Sequence, residues 1–196
     1  AELLYEAGLP EDVFQVVPGR GSEVGPALID RVDHVAFTGS TETGRSVARR
    51  AGENLVDCSL ELGGKNPMVV LADADLDDAV EGAIRGAFTN AGQLCISFER
   101  LYVEDAVYDE FLRRFAERTR SLRIDAALDY DVEVGSLASA SQLEKVQSHL
   151  DDAVEKGATV VAGGEARPDV GPYFFEPTIL TDVTPEMDLA REETFG

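Results

Sequence analysis

The chain reads as an α/β protein with a largely parallel sheet. Short apolar runs alternate with stretches whose apolar residues recur at helical spacing, and glycine or proline stands at many of the joins. With 44% hydrophobic residues among 196, it can bury a real core despite its charge, as one domain or as two partial ones.

Ala1 to Ala7 reads as the end of a helix stopped by Gly8, with Pro10 following. Val13 to Val17 predicts a short apolar strand, Pro18-Gly19-Arg20-Gly21 a turn, and Gly25 to Ile29 the neighbourhood of a helix. Asp33 to Thr38 is a second strand, Gly39-Ser40 leads into a helix through about Arg50, and Leu55 to Leu62 is a third strand. Pro67 to Leu71 follows as a strand, and Asp73-Ala74-Asp75 as a capping turn. Ala79, Val80, Ala83, Ile84, Ala87 and Phe88 then form an apolar helical stripe that belongs in the core. Leu101 to Val103 is strand; Val107, Phe111, Leu112 and Phe115 mark one amphipathic helix, and Leu143, Val146, Leu150 and Val154 another. Thr159 to Ala162 and Phe174 to Leu180 close the list as strands, with a surface loop between them.

Chemistry-bearing residues concentrate at two places. Cys95 follows a helical segment and the glycine of Gly92-Gln93-Leu94-Cys95, where a thiol can face a cleft. Glu61 ends a strand and opens onto Gly63-Gly64. A thiol to attack and a carboxylate to move protons are the parts needed for covalent chemistry followed by hydrolysis. Strand parity puts Val56, Cys58 and Leu60 on one face and Asp57, Ser59 and Glu61 on the other, so Cys58 reads as a packing residue. Gly39-Ser40, where a strand meets a helix, is open to two readings: a phosphate held on free N–H groups, or a serine that caps the helix. Gly21 and Gly25 allow close backbone approach to a ligand, or are ordinary turn glycines.

The formal net charge of −21 argues against a nucleic-acid surface. No run of 18 apolar residues and no signal-like N-terminus is present, so no membrane partner is expected. Two cysteines fit a reducing cytoplasm better than a disulfide scaffold. They and the two histidines, His34 and His149, lack zinc-ligand spacing, so no metal is expected. Both histidines read as structural or solvated, which disfavours a Cys–His hydrolase.

Phe37-Thr38-Gly39-Ser40-Thr41-Glu42-Thr43-Gly44, Glu61-Leu62-Gly63-Gly64-Lys65-Asn66-Pro67, Gly92-Gln93-Leu94-Cys95 and Glu192-Glu193-Thr194-Phe195-Gly196 together resemble the aldehyde dehydrogenase superfamily, in its order and at about its spacings. The resemblance implies the C-terminal part of a Rossmann-like nucleotide-binding domain over residues 1–62. It implies an α/β catalytic domain over 63–196, truncated at its C-terminal end. It also implies an internal fragment, inactive alone, of an enzyme that oxidises an aldehyde to a carboxylic acid with NAD or NADP. Cys95 would be the nucleophile and Glu61 the activator of water. Gly21, Gly25, Gly39, Ser40, Leu62, Glu193 and Phe195 would contact the cofactor. The implied partners are a small-molecule aldehyde and, for the full-length protein, further copies of itself. Cys95 could lend its own N–H to the oxyanion; the family's second donor, an Asn, lies upstream, and Asn66 and Asn90 do not occupy its motif. The alternatives are a nonenzymatic folded fragment and a coenzyme A-acylating relative, the latter disfavoured by Glu61.

Acidic excess with only three lysines resembles the surfaces of salt-adapted proteins, the alternative being a generic acidic bacterial-type enzyme. At 1 M salt the screening length falls to about 3 Å, which mutes surface repulsion. The melting temperature is expected to rise between dilute buffer and molar salt; an unchanged value would remove the argument for salt adaptation.

Overall fold

The computed structural model describes residues 1–196 and divides into two compact units, Ala1–Gly63 and Gly64–Gly196. The first contains α1 (Glu2–Glu6), α2 (Gly21–Ile29), β1 (His34–Gly39), α3 (Thr41–Glu53) and β2 (Asp57–Leu62). β1 and β2 pair in parallel, with Val35 opposite Cys58 and Thr38 opposite Glu61. A parallel pair needs a crossover, and α3 supplies it. Ser40 caps α3 by accepting the Thr43 N–H at 3.2 Å. At the other end Arg50 makes a two-pronged bond to Asp30, which follows α2, at 2.8 and 2.5 Å, and so ties the two helices together. α3 also sits close on the sheet: a methyl on Gly44 would lie 2.4 Å from Cδ2 of Leu62.

Val13 to Val17, predicted as a strand, forms none. A strand exists only where another strand's N–H and C=O groups meet it. The unit's one ladder is β1–β2, and Val13 and Val16 stay 66% and 61% exposed.

The second unit runs β3 (Asn66–Val70), α4 (Leu76–Phe88), a 3₁₀ turn (Thr89–Gly92), β4 (Phe98–Val103), α5 (Asp105–Arg120), α6 (Ala140–Glu155), β5 (Thr159–Ala162), β6 (Ile179–Thr181) and α7 (Asp188–Arg191). β3 and β4 pair in parallel through the crossover helix α4, whereas β5 and β6 pair antiparallel. Asp75 caps α4 by accepting the N–H groups of Asp77 and Asp78. The predicted stripe is the buried one: Val80, Ala83 and Ile84 pack with Val70, Phe111 and Phe115 in the main core. Across the top of this layer, Arg114 and Arg118 of α5 bridge to Asp77 and Glu81 of α4 at 2.7 and 2.9 Å.

The expected strand over Phe174 to Leu180 is shorter in fact. Only Ile179–Thr181 joins a ladder, while Phe175 makes an isolated bridge to Ala166. Pro177 interrupts the run because it has no N–H to donate. Its carbonyl lies against Gly163, where a side-chain carbon would come within 2.2 Å. No helix in the structure is long and apolar enough to cross a membrane.

Two helical glycines give opposite expectations. A methyl at Gly86 in α4 would lie 2.1 Å from the Phe98 ring, whereas one at Gly52 in α3 would meet nothing within 4 Å. Gly86→Ala is expected to destabilise by about 1–3 kcal/mol through overpacking. Gly52→Ala should stabilise by about 0.4–1 kcal/mol through lost chain entropy in the unfolded state. Urea titration of both variants measures the contrast; equal midpoints would contradict the helix–strand packing.

Candidate active site

Cys95 lies on the connection from the 3₁₀ turn to β4, and its shape begins with the end of α4. Asn90, Ala91 and Gly92 take φ of 56°, 54° and 74°, three successive left-handed residues that turn the chain sharply. Gly92 is required twice over. Its positive φ favours glycine, and a methyl there would sit 3.2 Å from both the Ala87 carbonyl oxygen and the carbonyl carbon of Gly196.

Side chains then fix the thiol's backbone from two directions. Gln93 Nε2 donates to the carbonyls of Asn90 and Ser136 at 3.0 and 3.2 Å, and its Oε1 accepts the Ala138 N–H at 2.7 Å. From the start of β3, Asn66 Nδ2 donates to the carbonyls of Cys95 and Ser97 at 2.7 and 3.0 Å. Cys95 itself is exposed and free. The outcome is a thiol on a held backbone whose sulfur is not packed away, the arrangement a nucleophile needs.

The segment Glu192–Gly196 belongs to the same unit and abuts this turn at Gly92. Glu193 Oε1 accepts the Gly64 N–H at 3.3 Å. Glu99, on β4, accepts the N–H groups of Thr194 and Phe195 at 2.9 and 3.0 Å and pairs with Lys65. Gln142, in the first turn of α6, donates to the carbonyls of the same two residues at 2.8 and 2.9 Å. Lys65 and Glu99 side chains are only 7% and 14% exposed. Burial pushes the Lys65 ammonium below the usual lysine value, and its hydrogen bond to Glu99 opposes that shift. His149 is buried beside them, with Nδ1 3.1 Å from the Thr194 hydroxyl. Burial pushes its imidazole down too, and the nearby charges of Lys145 and Lys65 add to the effect.

The second unit therefore gathers Cys95, Glu193 and Phe195. Gly21, Gly25, Gly39, Ser40, Glu61 and Leu62 lie in the first. There Gly21 and Gly25 stand at the start and in the middle of α2, in open space. Gly39 ends β1, where a methyl would collide with the Phe37 ring at 2.6 Å. Ser40 is a helix cap, and Leu62 is the residue on which Gly44 rests. Glu61 is exposed on β2, and burial alternates along that strand as the parity reading expects, with Cys58 half-buried on the opposite face. His34 is exposed at the start of β1, its Nε2 3.3 Å from the Ser59 hydroxyl. No group of three or more His, Cys, Asp or Glu side chains is placed to hold a metal ion.

Asn66, Glu99, Gln142 and His149 were not legible as members of this site. Asn66 stands inside a motif that drew attention to its neighbours, and Glu99 and Gln142 look like solvated polar residues until their partners, 95 and 52 residues away, are known.

The aldehyde dehydrogenase family profile matches residues 1–196. The chain belongs to the aldehyde dehydrogenase family. It is 58% identical over its whole length to a putative succinate-semialdehyde dehydrogenase [NADP(+)] of Mycolicibacterium smegmatis, of which it covers 38%. Among solved structures, an Escherichia coli NADP dependent enzyme shares 46% identity at a TM-score of 0.95 over all of this chain and 41% of that one. A Staphylococcus aureus betaine aldehyde dehydrogenase in complex with NAD+ shares 36% identity at a TM-score of 0.94, again over all of this chain and 40% of that one. The chain thus spans about two fifths of the length of these relatives.

His149 gives a pH prediction. Its folded value lies below the ordinary 6.5, so between the two the unfolded chain binds more protons than the folded one. Its contribution to stability is fully present above about pH 6.5 and is lost as pH falls toward the folded value. Urea midpoints are expected to drop on acidification through this window. His149→Gln should flatten that drop; an unaltered pH slope in the variant would exclude His149 as its source.

Proposed function

We propose that this chain is the central portion of an NAD(P)-dependent aldehyde dehydrogenase that oxidises an aldehyde to a carboxylic acid. The observation that carries the reading is the exposed Cys95 thiol on its pinned turn, with Glu193 and Phe195 in the same unit. The family match over the whole chain supports it. The first unit is then the end of the nucleotide-binding domain and the second most of the catalytic domain.

In this reading the Cys95 thiolate adds to the aldehyde carbonyl carbon, and the carbonyl π electrons move to oxygen. Sulfur suits the task because its thiolate is a strong nucleophile and the adduct still carries the hydrogen to be removed. The backbone N–H of Cys95 faces the developing oxyanion; donors of this kind are worth roughly 3–4 kcal/mol elsewhere. A nicotinamide held by Glu193 and Phe195 would supply the hydride acceptor, and with the hydride gone from the adduct carbon Cys95 carries a thioester. Glu61 takes a proton from water as its oxygen attacks the thioester, and the thiolate leaves with the acid as product.

The chain's own residues fit such a cofactor. The first-turn N–H groups of α3 have no intrahelical acceptor and carry the helix's positive end, so they suit a phosphate. That Ser40 caps this helix is compatible with the phosphate reading, because its hydroxyl satisfies the Thr43 N–H alone and leaves those of Thr41 and Glu42. Gly21, Gly25, Gly39 and Leu62 belong to this binding surface in the proposal, and Glu193 and Phe195 hold the nicotinamide ribose and ring. The likeness to the Mycolicibacterium putative succinate-semialdehyde dehydrogenase [NADP(+)] favours NADP and succinate semialdehyde. Short aliphatic aldehydes are the competing substrate class. Cytoplasmic placement, self-association of the full-length protein and salt adaptation complete the proposal, supported respectively by the free cysteines, the family and the acidic surface.

The test uses the full-length enzyme. Aldehyde-dependent reduction of NAD or NADP is expected, with succinate semialdehyde compared against butanal of the same length; no turnover across the panel would end the proposal. Cys95→Ala should abolish reduction. Glu61→Gln should give about one reduced cofactor per site in a burst, then turnover slowed by about 10²–10⁴-fold, with acyl-enzyme accumulating on Cys95 by intact mass. A variant with wild-type burst and wild-type steady state would remove Glu61 from the mechanism.

A further inference from the structure

The segment that carries Glu193 and Phe195 has no secondary structure of its own after α7. Its last residues would be expected to hydrogen-bond water. Instead, the N–H groups of Thr194 and Phe195 both end on one carboxylate, that of Glu99, and their carbonyls both end on one amide, that of Gln142. The Thr194–Phe195 peptide unit is held from both sides, its N–H by Glu99 and its carbonyl by Gln142, and the unit before it and the unit after it are each held once.

This grip maintains a conformation the chain would not choose. Phe195 has φ of 62°, in the left-handed region that non-glycine residues rarely adopt and that persists only where the surroundings fix it. Glu99 needs to be an anion with two free lone-pair directions to accept two adjacent N–H groups. Lys65, buried beside it, compensates that charge and also approaches the Thr194 hydroxyl at 3.4 Å. Neither charge has solvent as a substitute partner, so the pair cannot simply relax away when one member is removed.

We propose that Glu99, with Lys65 as its counter-ion, is the positioning residue that sets the geometry of Glu193–Phe195 for the nicotinamide cofactor. This rests on the reading of Glu193 and Phe195 as cofactor contacts. Glu99 does not touch the reacting atoms; it acts through the two peptide units it holds. Its effect should therefore fall on cofactor binding and leave the thiol's own backbone, held by Asn66 and Gln93, in place.

The experiment compares full-length wild type, Glu99→Gln and Glu99→Gln/Lys65→Met. Glutamine is nearly isosteric but presents only one accepting oxygen where the carboxylate serves two N–H groups and an ammonium. The double variant removes the ammonium left without a partner, and so keeps the test alive if the single variant folds poorly. Calorimetric titration with NAD+ and NADP+ is expected to show at least fivefold weaker binding of the preferred cofactor in both variants. The cofactor KM should rise with it. The aldehyde KM should stay within twofold, and Cys95 should alkylate with iodoacetamide at the wild-type rate. If both variants bind cofactor as wild type does, or if they merely show a smaller active fraction with unchanged KM values, Glu99 is not a positioning residue. If wild type binds neither NAD+ nor NADP+, the cofactor reading itself fails and this inference falls with it.

Discussion

The second unit turns on a charge that has been taken out of water. Lys65 at the entrance to β3 and Glu99 on β4 meet where the two parallel strands begin, and neither is exposed enough to trade its partner for solvent. A buried pair of this kind is weak evidence for stability, since its desolvation cost can match its attraction. Its value here lies in direction. Glu99 has lone pairs left over after Lys65, and the N–H groups of Thr194 and Phe195 take them. The strand pair, the thiol turn and the final segment are thereby referred to one fixed point.

The remaining contacts follow the same economy. Asn66, next to Lys65, spends both amide hydrogens on the carbonyls around Cys95. Gln93 satisfies the far side of the turn, and Gln142 the far side of the final segment. Uncharged amides do this work well because they donate and accept with little desolvation cost compared with ions. The sulfur is the group left unengaged. A turn whose carbonyls are held by side-chain amides and whose sulfur is free needs little reorganisation to meet an incoming group.

Much of this is readable in the sequence. Helical periodicity located the buried face of α4 at Val80, Ala83 and Ile84, because a stripe is a local property of 3.6-residue spacing. Parity did the same for Cys58 and Glu61 on β2. The errors came where pairing decides. Val13 to Val17 has strand composition but no ladder, and Phe174 to Leu180 contains Pro177, which cannot donate to one. The turn at Asn90–Gly92 was visible as a glycine, yet its two left-handed companions were not, since Asn tolerates a positive φ without requiring one and Ala rarely adopts it. Glu99 and Gln142 escaped for a related reason: a polar residue on a strand or in a first helical turn looks solvated until its distant partner is known.

That distance has a kinetic meaning. Lys65 and Glu99 find each other across 34 residues, but Glu99 meets Phe195 across 96 and Lys65 meets Thr194 across 129, so the remaining contacts close very long loops. Loop closure grows only logarithmically in cost, but none of its reward arrives until both ends are present. On a ribosome adding roughly 5–20 residues each second, the interval between the emergence of Lys65 and that of Thr194 is on the order of ten seconds. Through that interval β3, α4 and β4 can assemble by their nearby contacts and bring Lys65 to Glu99, while the lone pairs that will accept Thr194 and Phe195 stay hydrated. The thiol turn is consequently exposed to the cell until the segment Glu192–Gly196 is made and docks against Gly92.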